Sequence, residues 1–117
     1  SGTTNDDIYG QTMVFSSGVF TPSGDPFPIG TLPWWAGSPA VAWGRKLPSM
    51  SAYGEFLVTW PETGTLWAQR VDGWDYDLVG DPITVSNFSS SKSNPAVLFA
   101  TEQEEWWVVW EDSREYG

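Results

Sequence analysis

The chain has no cysteine and no histidine among its 117 residues, and only 5 lysines and arginines stand against 15 aspartates and glutamates. Without cysteine there is neither a disulfide framework nor a thiol site. Without histidine, Ser-His-Asp triads, histidine general bases and His-ligated zinc are excluded. A net charge of −10 leaves no basic stripe for nucleic acid or an anionic membrane surface. No apolar run is long enough to span a bilayer as a helix, and the polar start lacks the apolar core of a secretory signal. Ser1-Gly2 suits a mature terminus or a cloning scar. No glycine-rich phosphate loop precedes a helical pattern, so nucleotide chemistry is not expected, and no cofactor is implied. Helical periodicity is missing too: no long window carries an apolar stripe at helical spacing, and 9 prolines interrupt the longer candidates.

What the chain does have is a statement made twice. Ile8-Tyr9-Gly10-Gln11 returns as Leu66-Trp67-Ala68-Gln69, and Gly24-Asp25-Pro26-Phe27-Pro28-Ile29 as Gly80-Asp81-Pro82-Ile83-Thr84-Val85. Ser38-Pro39-Ala40-Val41-Ala42-Trp43 returns as Asn94-Pro95-Ala96-Val97-Leu98-Phe99, and Glu55-Phe56-Leu57-Val58-Thr59-Trp60 as Glu105-Trp106-Trp107-Val108-Val109-Trp110. The offsets run 58, 56, 56 and 50 in unbroken order, the signature of a repeat architecture. Repeat 1 covers about 7–62 and repeat 2 about 65–112, within a single domain. Each matched segment reads as a strand. The Phe56–Trp60 and Trp106–Trp110 segments are apolar on both faces, as strands covered on both sides are. Turn formers lie between them: Ser16-Ser17-Gly18, Pro22-Ser23-Gly24, Glu62-Thr63-Gly64, Asp72-Gly73 and Ser89-Ser90-Ser91. The expected class is all-β with four short strands per repeat.

Four strands in roughly fifty residues is the size of one β-propeller blade. The succession Ser/Asn-Pro-Ala-Val, Phe-Leu-Val-x-Trp, Ile-Tyr-Gly-Gln-x-Val and Gly-Asp-Pro-Phe-x-Ile resembles blades of large secreted bacterial and archaeal propeller proteins. The resemblance covers nearly the whole chain and implies a blade architecture and an extracellular setting. It implies no single activity, because propellers host lectins, hydrolases and scaffolds alike. In such a blade the Pro-Ala-Val strand is innermost. The phase here is therefore shifted: two outer strands come first, then one complete four-stranded blade over 39–86, then two inner strands. One whole blade is flanked by two complementary half-blades, and joining tail to head restores the missing turn.

Half-blades leave unpaired edges and an apolar face, which invite association. The expected partner is another copy of the chain, bound head-to-tail, giving a ring of three or four copies or an open fibre. A fragment of a longer propeller is the plainer alternative. The candidate assembly edge is Ile8, Tyr9 and Gln11 on one side and Trp106, Val108, Val109 and Trp110 on the other.

Aromatics are the hint of a ligand, with 9 Trp in the chain. Those in matched strands are expected to pack. Trp34, Trp35, Trp74 and Tyr76 lie outside the repeat pattern, with Asp75 and Asp77 beside the last two. An exposed indole flanked by carboxylates suits a sugar, whose C–H face stacks while its hydroxyls hydrogen-bond. If sites repeat between blades, Trp43 qualifies as well. Asp72, Asp75 and Asp77, or Asn5, Asp6 and Asp7, supply oxygen ligands of the kind calcium takes, but neither set matches a full calcium loop, so solvated loops and no metal are expected. Asp25 and Asp81 repeat with the fold, which points to a turn or hydrogen-bonding role rather than to catalysis. Gln11 and Gln69 repeat likewise and are expected to satisfy backbone groups between strands. Asn87-Phe88-Ser89 meets the N-glycosylation acceptor pattern. The expected function is a non-enzymatic, lectin-like carbohydrate-binding module, multivalent by self-association. The alternatives are a structural protein building an extracellular ring or fibre, and a carboxylate-pair glycoside hydrolase.

Overall fold

The computed structural model describes residues 7–31, 36–46 and 52–114. The described residues form strands joined by turns and loops, without a helix: β1 (Ile8–Ser16), β2 (Val19–Gly30), β3 (Ala40–Gly44), β4 (Glu55–Glu62), β5 (Thr65–Asp72), β6 (Leu78–Ser86), β7 (Lys92–Ala100) and β8 (Glu105–Asp112). They make three antiparallel sheets, a β1–β2 hairpin, a four-stranded meander β3–β4–β5–β6, and a β7–β8 hairpin.

Turn chemistry sets these hairpins. Ser17-Gly18 (φ 53° and 80°) and Thr63-Gly64 (φ 49° and 78°) both place two left-handed residues in a two-residue loop. That is the type I′ geometry, whose twist matches the twist of the flanking strands. The β5–β6 and β7–β8 loops are longer and close with left-handed Tyr76 (φ 63°) and Glu104 (φ 55°).

The sequence repeat is also a repeat of register. Ala40, Val41, Ala42, Trp43 and Gly44 oppose Thr59, Val58, Leu57, Phe56 and Glu55. At the matching positions Ala96, Val97, Leu98, Phe99 and Ala100 oppose Val109, Val108, Trp107, Trp106 and Glu105. Ile8 opposes Gly30 and Gly10 opposes Phe27, as Leu66 opposes Ser86 and Ala68 opposes Ile83. Even the irregularities coincide: register shifts fall between Gly10 and Thr12, and between Ala68 and Arg70.

Those shifts correct one sequence expectation. Pro22-Ser23-Gly24 does not turn the chain; it lies inside β2, where Gly24 (φ 74°) forms a bulge, and Gly80 (φ 72°) does the same in β6. Gly24-Asp25-Pro26 lies opposite the single residue Gln11 and Gly80-Asp81-Pro82 opposite Gln69, and a left-handed glycine accommodates such extra residues in a strand as readily as it closes a turn. Asp25 and Asp81 therefore sit in strand bulges. The prolines of these outer strands are Pro22, Pro26 and Pro28 in β2 and Pro82 in β6; β7 holds Pro95.

The core lies where the N-terminal hairpin covers one face of the meander. Ile8 and Ile29 pack with Val58, Trp60 and Val71, joined by Phe27, Phe56 and Trp67. Trp60 is fully buried. The β7–β8 hairpin covers the opposite face: a Cβ added to Gly44 would lie 2.5 Å from Phe99 and 2.9 Å from Trp106. Between the two hairpins β4 is buried almost throughout.

Two polar devices pin the meander. Arg70 grips Glu55 with two hydrogen bonds, Nε to Oε1 at 2.7 Å and Nη2 to Oε2 at 2.8 Å, and the carboxylate raises the guanidinium's pKa. Lys92 is buried, and its ammonium donates to the carbonyls of Gly64 (2.7 Å), Ser90 (3.2 Å) and Phe88, clipping the β6–β7 loop to the β4–β5 turn.

Candidate functional site: two bare edges and an aromatic shelf

In the complete meander β5 lies between β4 and β6. In the N-terminal hairpin the matching strand, β1, pairs with β2 alone among the described residues, and its other edge is bare there. Gln69 and Gln11 report the difference. Gln69 donates to the carbonyls of Val79 (3.3 Å) and Gly80 (3.1 Å) across the bulge; Gln11 donates to those of Ser23 (3.3 Å) and Gly24 (3.2 Å) in the same way. Both make the interstrand bonds expected of them. Yet Gln69 is 1% exposed and Gln11 is an exposed residue. Tyr9 beside it is 59% exposed, whereas Ile8 is buried in the core.

The edge of β8 away from β7 is likewise bare among the described residues. The β4–β5 turn shows which of its backbone groups are free for a partner. A two-residue hairpin makes its flanking pair, Glu62 and Thr65, hydrogen-bonded, and the type then alternates along the ladder. Pro61 falls at a non-bonded position, as a residue lacking N–H must, and its carbonyl accepts from Gly37 N at 2.7 Å on the β3 side. By the repeat, Val108 and Trp110 direct their N–H groups to the bare edge, and Val109 directs its own toward Ala96 of β7. Val109 belongs to the edge strand by position, with its hydrogen-bonding groups turned inward.

A repeated pair that the sequence reading missed marks the ends of these strands. Trp60 Nε1 donates to Glu62 Oε1 (3.2 Å) and Trp110 Nε1 to Asp112 Oδ2 (3.0 Å). The signal was present as Trp-x-Glu and Trp-x-Asp at matched places. Around Asp112 the network widens. Arg114 donates at 2.6 Å and holds the carboxyl far below the usual carboxylate range, and Ser90, the Arg114 backbone N–H and Trp110 add to this. The stabilisation is complete above the ordinary aspartate pKa and is lost only as pH falls through and below that range. Arg114 also lies 3.9 Å over the ring of Phe88, a cation–π contact.

The expected ligand cluster divides in two. Trp74 stacks on Tyr53, with centroids 4.4 Å apart and planes at 28°, and the two are 63% and 54% exposed. Trp43 braces this shelf by donating from Nε1 to the Tyr53 carbonyl at 2.8 Å. Gly73 N donates to Gly54 O at 2.9 Å, an approach so close that a Cβ on Gly73 would sit 2.3 Å from the Tyr53 carbonyl. Tyr76 turns elsewhere, stacking at 6.4 Å on Phe27 of the N-terminal hairpin. Asp75 Oδ1 accepts from Asp77 N at 3.0 Å, so this carboxylate shapes its own loop. Among the described residues no cluster of three or more carboxylates is arranged to hold a metal ion. Asn87 is exposed in the β6–β7 loop. Trp34, Trp35, Asn5 and Asp6 lie outside the described residues. Comparison with protein-family models, curated proteins and solved structures finds no match.

Proposed function

We propose that this chain is a self-assembling β-propeller module, an extracellular building block that closes head-to-tail into a ring of complete four-stranded blades. One observation carries the reading: matched residues in matched registers are buried where four strands are present and exposed where two are, Gln69 against Gln11 above all. The two hairpins lack opposite halves of the same sheet. Three copies supply six blades and four supply eight, numbers within the usual range of about 4–8. The propeller-like order of the meander and the resemblance of its strands to secreted blades favour this over an unrelated sandwich.

Light scattering tests it. The expected particle is several times the 13.0 kDa chain, and a well-folded monomer at micromolar concentration overturns the proposal. Each added copy brings a charge of −10. Dissociation is therefore expected to be greatest at low ionic strength, and moderate salt should strengthen assembly by screening the repulsion.

The Trp74–Tyr53 shelf favours a second reading, carbohydrate binding by the assembled ring. A flat indole with one face held by tyrosine and the other in solvent offers a stacking surface for a pyranose. A single open site holds a sugar weakly, and several on one ring raise avidity for a polysaccharide by roughly a hundredfold or more. Binding should quench tryptophan fluorescence. Trp74→Ala is expected to remove that response and leave the particle mass unchanged. A loss of assembly with binding retained would make the shelf a structural contact.

A further inference from the structure

The assembly reading, on which this inference rests, says that a second copy binds; the structure also carries where and in which register. Directly opposed residues of a sheet point the same way. Val41, Trp43, Phe56 and Val58 therefore share one face of β3–β4, and Ala40, Ala42, Gly44, Leu57 and Thr59 share the other. The Gly44 face receives β7–β8 through Phe99 and Trp106. These two residues oppose each other and share a face with Val97 and Val108.

The repeat assigns the same two kinds of face to β7–β8. Its Phe99 face matches the Trp43 face of the meander. Its reverse face, Ala96, Leu98, Ala100, Trp107 and Val109, matches the Gly44 face. On that reverse face Leu98, Trp107 and Val109 are 55–57% exposed. On the meander, the Val41 face is only partly covered by the N-terminal hairpin. Beside the bare edge of β1 it leaves a largely apolar groove of about 480 Å³, lined by Tyr9, Gln11, Val41, Phe56 and Val58. Val41 is 59% exposed there, and Trp43, on the same sheet face but outside the groove lining, is 49%. One contact between such faces is already made inside the chain. Both halves of a second are present and unjoined.

We propose that this groove is the seat of the β7–β8 hairpin of a second copy. Its Leu98–Trp107–Val109 face packs on Val41 and Phe56 while its β8 edge pairs with β1. The β4–β5 ladder gives the register. Glu55, Leu57, Val58 and Trp60 oppose Asp72, Arg70, Gln69 and Trp67. Carried over by the repeat, Glu105, Trp107, Val108 and Trp110 of one copy oppose Val14, Thr12, Gln11 and Tyr9 of the next. Edge and face thus specify one geometry by separate arguments. The edge fixes register through backbone alternation, and the face fixes which side of the edge strand meets the groove.

The absence of native cysteine makes the register readable by crosslinking. Glu105 with Val14, and Trp107 with Thr12, correspond to non-bonded pairs of the β4–β5 ladder. Such pairs bring Cα atoms to about 4.5 Å, inside the range a disulfide bridges. Val14→Cys and Glu105→Cys chains, which sacrifice no aromatic contact, are mixed and oxidised. The expected major product on a non-reducing gel is a crosslinked dimer containing one chain of each kind. Thr12→Cys with Trp107→Cys should give the same. Met13→Cys with Glu105→Cys, displaced by one residue and pointing to the other face, should stay uncrosslinked. Combining Val14→Cys and Glu105→Cys in one chain should produce covalent multimers ending at the copy number of the ring. Assembled particles that crosslink equally at the displaced pair, or at neither in-register pair, overturn this seat and leave the assembly reading standing. Monomeric parent protein overturns both.

Discussion

Trp60→Ala is expected to lower the stability of the chain by about 3–5 kcal/mol, the range for truncating a large aromatic in a core that cannot collapse around the space. Trp60 has no exposed surface and packs with Ile8, Ile29, Val58 and Val71 where the N-terminal hairpin meets the meander. A Cβ on Gly30 would come within 2.7 Å of its ring, so the backbone of β2 already touches the indole. The variant also loses the indole bond to Glu62. Small domains hold only about 5–15 kcal/mol in total, so this loss should move the denaturant midpoint well down. Trp110 occupies the same place in the second repeat but is only half-buried. Trp110→Ala should cost less than Trp60→Ala in dilute protein and approach it as concentration, and with it assembly, rises. A loss below about 1 kcal/mol for Trp60→Ala would show that the two sheets do not pack as described.

Val108→Pro is expected to dissociate the particle while the chain stays folded. The Val108 N–H points to the bare edge, so proline there removes a donor that only a second copy would use, and its ring obstructs an incoming strand. Val109→Pro instead removes an N–H directed to Ala96 within the β7–β8 ladder. That change should lower the unfolding midpoint of the chain itself. Sedimentation and denaturation, run on both variants, separate the effects. Unchanged particle mass for Val108→Pro would remove β8 from the contact.

Much of this architecture was legible because the chain repeats. A segment met twice gives two readings of one strand, and the common offset of 56 between Ser38-Pro39 and Asn94-Pro95 and between Gly24-Asp25 and Gly80-Asp81 carries register as well as strand identity. The interstrand role of Gln11 and Gln69 came through for the same reason. Pro22-Ser23-Gly24 was misread because a left-handed glycine serves turn and bulge alike. Lys92 left no signal: its partners, Gly64 and Phe88, are backbone carbonyls brought near only by the fold. Trp74 and Tyr76 sit two residues apart, and nothing local tells that one stacks on Tyr53 and the other on Phe27. Glu55 and Arg70 are fifteen residues apart, and only the β4–β5 register brings them together.

The placement of proline bears on solubility. The outer strands β2 and β6 carry Pro22, Pro26, Pro28 and Pro82, and β7, whose free side borders no strand, carries Pro95. Each interrupts the row of N–H donors that a stray strand would need in order to add on there. β1 and β8 contain none. A strand-rich chain with open ladders can seed cross-β stacking, which extends wherever donors and acceptors remain unbroken, and the net charge of −10 opposes it. Among the described residues the proline-free edges are β1, β8 and the short β3 of five residues, and β1 and β8 are complements of one another. In the proposed assembly each contact masks one β8 and one β1 margin, and growth would end only where the ring closes.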